Sequence, residues 1–163
     1  MNFYRIKQFF WSITAKINNE DINYIRRYLN ESEYVLFIKL SIQEQKHSVR
    51  VARDVQKECQ MLHIAEDELI KTALLHDIGK IYKKLNAIDK SIMVLADKFT
   101  KGKIRNLKAS KKIKVYFDHA AIGYEILKNS GLSDKALYLI KNHHNDIIDN
   151  EELNILKRCD SNN

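Results

Sequence analysis

Proline is absent from this 163-residue chain, and glycine occurs only four times. With so few helix breakers, and with Lys, Glu, Leu and Ile frequent, the backbone favours helix over sheet. Cysteine is almost absent too. Cys59 and Cys159 have no pairing signature, which argues against a disulfide framework and suits a reducing compartment. No apolar run is long enough to span a bilayer. Met1 to Ile17 has neither an uninterrupted apolar core nor a small-residue cleavage site, so no secretory signal is expected. A cytoplasmic protein is the expectation.

What is present is an ordinary apolar fraction of 45%, enough at this length for one domain with a real core. The formal net charge is +7, which suits an anionic ligand without choosing among nucleotides, nucleic acid and lipid headgroups. Much of the excess lies in Lys98 to Lys114, a window with eight basic residues and no acidic one. Such a segment is expected to draw in an anionic substrate rather than to act in the chemistry.

Taken in order, Phe3, Ile6, Phe10, Ile13 and Ile17 recur at the spacing of one helical face. Residues 1–30 read as an N-terminal amphipathic helical extension. It would pack on its own domain or on a second subunit, with an anionic membrane surface as the other option. Asn18 to Asp21 starts a short helix through Leu29, and Asn30 to Ser32 makes a second turn. Ser41 and Glu44 form a capping-box pattern for a long helix to about Leu62, its buried stripe being Val49, Ala52, Val55 and Cys59. Further helices are expected over Glu66 to Leu75, around Ile88 to Phe99, from Val115 to Asn129, from Ser133 to the His143-His144 pair, and from Asn150 to Asp160. Gly79 is read as a backbone break before Lys80. Gly123 falls in mid-helix at a cost of roughly 1 kcal/mol against alanine, so a close neighbour is expected there. The fold class is all-α.

The chain is organised around Lys71 to Lys80, KTALLHDIGK. Four small or apolar residues precede His76 and Asp77, so an imidazole and a carboxylate are buried side by side. That is costly unless each finds a partner. A divalent cation satisfies both at once. His47, His76-Asp77, His119, His143-His144 and Asp160 lie on different helices, where facing helices converge. One shared ion requires His47 and His76 to lie within about 8 Å of each other. His63 falls at a helix end and is left out of the site.

The order His47, His76-Asp77, Asp160 resembles the HD superfamily of metal-dependent phosphohydrolases, and the HDIGK spelling is the form common in bacterial members. The match runs from about Glu33 to Asp160 and implies a single HD-domain helical bundle over 31–163. HAAIG from His119 to Gly123 and HHN from His143 to Asn145 are similar to the additions of two-metal members, among them the HD-GYP cyclic-dinucleotide phosphodiesterases and the HD-type diadenosine tetraphosphate hydrolases. No Gly-Tyr-Pro segment follows His144, and Gln43 stands where some HD-GYP members have a glutamate for a third metal. Two metals and not three are therefore expected. Without Gly-Tyr-Pro the resemblance to the cyclic-dinucleotide enzymes fails; the diadenosine tetraphosphate hydrolases are closer in size, but the segment between Asp77 and His119 is long and basic, so their substrate does not carry over.

The resemblance implies that Asp77 bridges two divalent ions. His47, His76 and Asp160 complete the first site, and His119, His143 and His144 the second. Imidazole and carboxylate ligands without thiolate suit Fe, Mn, Mg or Ni. Asp77 and Lys80 are the expected catalytic residues, with Lys80 and Arg50 reaching substrate phosphate. The implied activity is hydrolysis of a phosphomonoester or phosphodiester, the substrate being a phosphorylated small molecule such as a nucleotide. Two alternatives stay open: a metal-retaining domain that binds a nucleotide or partner without turnover, and a peripheral membrane or nucleic-acid-binding protein.

Overall fold

This computed structural model describes residues 15–85, 87–107, 110–145 and 150–163. Capping chemistry sets the first helix starts. Asn18 is extended and accepts the Asp21 N–H at 2.8 Å, while the Asp21 carboxylate accepts the Asn18 N–H at 3.2 Å. This capping box opens α1, Asn19–Tyr28. Asn30 and Glu33 repeat the device for α2, Glu31–Phe37. Ser41 then caps α3, Ile42–Leu62, and His63 ends it in the left-handed region at φ 57°. Next come α4, Asp67–Leu75, a short 3-10 helix Ile78–Tyr82, and α5, Ala87–Phe99. A second 3-10 turn, Lys103–Asn106, leads to α6, Lys111–Leu127. Ser133 and Asn150 cap α7, Asp134–Asn142, and α8, Glu151–Ser161. Among the described residues there is no strand, and the all-α expectation holds.

The core gathers the inner faces of α3, α4, α7 and α8. Val49, Ala52, Val55 and Cys59 are all buried on α3, as the spacing predicts. They meet Leu69, Ile70, Ala73 and Leu74 from α4, with Leu153, Ile155 and Leu156 from α8 in the same cluster. Ile25, Tyr28 and Phe37 extend this core through α1 and α2. Two buried carboxylates pin those helices. Asp21 accepts Lys46 at 2.6 Å and Arg53 at 3.4 Å, and Glu33 pairs with Lys71 at 3.1 Å. Removing one partner of such a pair leaves an uncompensated buried charge.

Three local expectations need correction. The first expected helix lies mostly outside the described residues, but it does not reach Ile17. Residues 15–18 are irregular, because an N-cap at Asn18 requires extended backbone. The break in the central stretch comes before Gly79: α4 ends at Leu75, and His76 and Asp77 form the turn. Finally, α6 begins at Lys111, earlier than Val115, and takes in part of the basic segment.

Gly79 has a different use. A Cβ on it would stand 2.0 Å from the His119 carbonyl oxygen and 2.7 Å from the Gly123 nitrogen. A Cβ on Gly123 would meet the Gly79 nitrogen at 3.3 Å. The two glycines let α6 lie directly against the 3-10 turn, and this is the close neighbour expected for Gly123.

Candidate metal centre

Five helices bring the sequence-predicted ligands to one place. His47 comes from α3, His76 and Asp77 from the end of α4, His119 from α6, His143 and His144 from the end of α7, and Asp160 from α8. The His47 and His76 ring centroids are 5.5 Å apart, inside the limit a shared ion sets. Three triplets have ligand atoms within 4.8 Å of one another: His47-His76-Asp160, His119-His143-His144, and His76-Asp77-His143. Asp77 faces both halves. Its Oδ1 is 3.2 Å from His119 Nε2, and its Oδ2 is 3.5 Å from His76 Nε2 and 3.7 Å from His47 Nε2.

Backbone carbonyls orient the rings. His76 Nδ1 lies 2.7 Å from the Ala73 carbonyl and His143 Nδ1 lies 2.7 Å from that of Ile140. His119 Nδ1 is 3.2 Å from the Val115 carbonyl. Since a carbonyl only accepts, each Nδ1 donates, and in the neutral ring the lone pair sits on Nε2. His76 Nε2 and His143 Nε2 are buried without a hydrogen-bond partner among the described residues. His119 Nε2 and His144 Nε2 face each other at 2.8 Å, where two lone pairs would repel unless a proton or cation lies between them. Orphaned ring nitrogens aimed at shared carboxylates are what a divalent cation would satisfy. The residues present fit such a group.

Protonation follows the same division. Burial opposes charge on His76, but Asp77 and Asp160 outweigh it and raise its pKa to about 9. Burial also opposes ionisation of Asp77, yet Lys80 and His76 hold its carboxyl well below the usual range. Asp160 is likewise held down against burial by its contact with His47 at 2.9 Å and by His76, whose Nε2 lies 3.5 Å away. On the other side, burial pushes His143 well below an ordinary imidazole, with His76 adding to the effect. Burial and His119 push His144 down to about 4. His143 and His144 are therefore neutral at pH 7, each with a ring lone pair free of a proton.

A cation held by His76 would have to displace its proton, so its affinity should depend on pH. Because the folded value of about 9 lies above the ordinary 6.5, His76 is protonated at pH 7 and must release that proton to ligate. Calorimetric titration of Mn²⁺ in buffers of different ionisation enthalpy should read about one proton released per chain near neutral pH. Affinity should rise with pH and level off near 9. Proton-independent binding would show that His76 is not a ligand.

Lys80 reaches the same carboxylate. Its Nζ donates to Asp77 Oδ2 at 2.5 Å and lies 3.4 Å from Glu44 Oε2. These two carboxylates hold its pKa up against burial. A small pocket lined by Ser41, Glu44, Lys80, Lys84 and Leu85 opens beside it. Glu44 was legible only as a capping partner for Ser41, although it precedes His47 by one helical turn and so shares its face. Arg50, half-buried one turn beyond His47, has its pKa lowered by burial, with Asp21 opposing. His63 is exposed at the end of α3, away from the ligands by burial and by role.

No curated protein and no solved structure matches the chain. A family model does: that of the HD domain, over residues 45–161. The span begins two residues before His47 and closes one residue after Asp160, so every residue of the cluster falls inside it. That match covers well over half of the chain, and with the helical bundle it places the protein in the HD domain family.

Proposed function

We propose that the protein is a metal-dependent phosphohydrolase acting on a phosphomonoester or phosphodiester, with a nucleotide as the favoured substrate class. The observation that carries this reading is Asp77, whose two carboxylate oxygens face separate histidine groups, Oδ1 toward His119 and Oδ2 toward His76 and His47. In this reading Asp77 would be shared by two ions, with His47, His76 and Asp160 able to hold one and His119, His143 and His144 the other. Fe, Mn, Mg or Ni suit this all-nitrogen and oxygen set. When bound, two such ions lower the pKa of a shared water and offset the charge of the phosphoryl oxygens.

The chain's own residues do the rest. Asp77, held ionised by Lys80 and His76, keeps two acceptors fixed between the halves. Lys80 sits between Asp77 and Glu44, beside the pocket that Lys84 also lines. From there its ammonium meets a phosphate oxygen or the leaving oxygen by exchanging one carboxylate for the substrate. Arg50 is the second cation assigned to the phosphate.

Metal analysis of the purified chain, followed by a panel of nucleotide monoesters and diesters, tests the reading. Lys80→Ala should keep the metals and lower kcat/KM by roughly 10²-fold, the effect of losing one charged group in the transition state. Metal loss on that substitution would make Lys80 a structural counter-ion instead. Full metal occupancy with no turnover of any panel member would favour a binding domain that does not hydrolyse.

A further inference from the structure

The metal centre leaves the outward face of α5 unused. Ile88, Ile92, Leu95 and Phe99 are spaced four, three and four residues apart, which lines them up along one side of the helix. All four are exposed, Ile88 at 68% and Phe99 at 83%. Among the described residues the helix is held from its other side. Met93 is buried on the other side, and Asp89 there pairs with Lys112 of α6 at 2.7 Å. A helix apolar on its inner face alone would serve the fold, and this one is apolar on the outer face too.

Cations border the stripe. Lys98 adjoins Phe99, and Lys101 and Lys103 follow in the turn where Lys101 and Gly102 both take positive φ. These three lysines are exposed and have no ion pair among the described residues. Arg105, by contrast, donates to both oxygens of Asp97, at 3.0 and 2.7 Å, and ties the turn back onto α5. No acidic residue occurs from Lys98 through Phe117.

We infer that α5 and the turn after it dock on an anionic lipid surface, with Ile88, Ile92, Leu95 and Phe99 in the acyl boundary and Lys98, Lys101 and Lys103 among the phosphate headgroups. An apolar stripe edged by lysines is the pattern of a helix lying in the plane of such a surface. A second copy joined in parallel through the same stripe would bring like-charged lysine turns together, and an antiparallel copy would leave the lysines without a partner that uses them. A nucleic acid would use the lysines and leave the stripe in water. This inference is independent of the reaction proposed above.

The test is flotation of the full chain with phosphatidylcholine vesicles and with vesicles of equal parts phosphatidylcholine and phosphatidylglycerol. Binding to the anionic vesicles and not to the neutral ones is expected. Changing Lys98, Lys101 and Lys103 together to serine should weaken partition by about a hundredfold, since each cation near the surface contributes about fivefold. Ile92→Ser with Phe99→Ser leaves the charge unaltered and should weaken it by at least about tenfold. Both side chains are exposed, so the melting temperature should not move; if that pair does not fold, Leu95→Gln alone should lower partition by about threefold. Absence of binding to anionic vesicles would overturn the inference. So would binding that the apolar substitutions leave unchanged, which would assign it to charge alone or to another segment. A concentration-dependent dimer abolished by the same substitutions, without vesicle binding, would assign the stripe to a second copy.

Discussion

Asp77→Ala is expected to abolish hydrolysis, by ~10³-fold or more, and to release both metal ions. The side chain is buried, and its two oxygens point to different ligand groups. Among the described residues no other carboxylate spans them: Asp160 meets His47 at 2.9 Å and His76 at 3.5 Å, on one side only. His119→Ala should behave differently. It removes a nitrogen from the His119-His143-His144 triplet and leaves His47, His76 and Asp160 in place, so one ion should be lost and one kept. Asp77→Asn keeps the side-chain shape and serves as the control for folding, with far-ultraviolet circular dichroism as the readout. Equal loss of both ions from Asp77→Ala and His119→Ala would contradict this division of roles.

The second large effect is structural. Gly79→Ala should destabilise the protein by at least about 3 kcal/mol, seen as a fall in Tm of about 10 °C. The new methyl group would meet backbone, the His119 carbonyl at 2.0 Å and the Gly123 nitrogen at 2.7 Å, and backbone cannot rotate away as a side chain can. Relief requires α6 to move off the 3-10 turn, and His119 moves with it. Metal binding in the second group should therefore weaken in step with stability. Gly123→Ala is the internal comparison. Its methyl group would be 3.3 Å from the Gly79 nitrogen and from Ile78 Cγ2, a contact that a few tenths of an ångström relieves. Alanine also gains about 1 kcal/mol of helix propensity there, so the net change should be small. Thermal denaturation of both variants decides the matter; similar losses would mean that the approach of α6 is not what Gly79 serves.

The convergence of these histidines and carboxylates was legible because metal chemistry restricts residue type and helical geometry restricts spacing. Few side chains bind a cation, and a histidine set beside an apolar stripe must point toward neighbouring helices. The α3 stripe was legible for the same periodic reason, and Asn18, Asn30, Ser41, Ser133 and Asn150 act locally, within three residues of themselves. What escaped the sequence depends on contacts between distant segments. Gly79 reads as a break until α6 is seen lying against it, 40 residues later at His119. Glu44 satisfies a local capping pattern, and that pattern hides its reach to Lys80 across 36 residues. The outer stripe of α5 has the periodicity of a core face, because hydrophobic spacing identifies an apolar face without saying what covers it. Nor does the run of basic residues show that Arg105 and Lys112 are paired with Asp97 and Asp89 of α5.

The central claim is that the converging histidines and carboxylates form a two-ion centre. Counting metal by mass spectrometry in the chain purified without chelator, and again after chelation and reloading with Mn²⁺, addresses it directly. Two equivalents per chain in the wild type, falling to one in His119→Ala and to none in Asp77→Ala, is the predicted result. A wild-type chain that keeps its helical circular dichroism yet holds no divalent metal after reloading would contradict it.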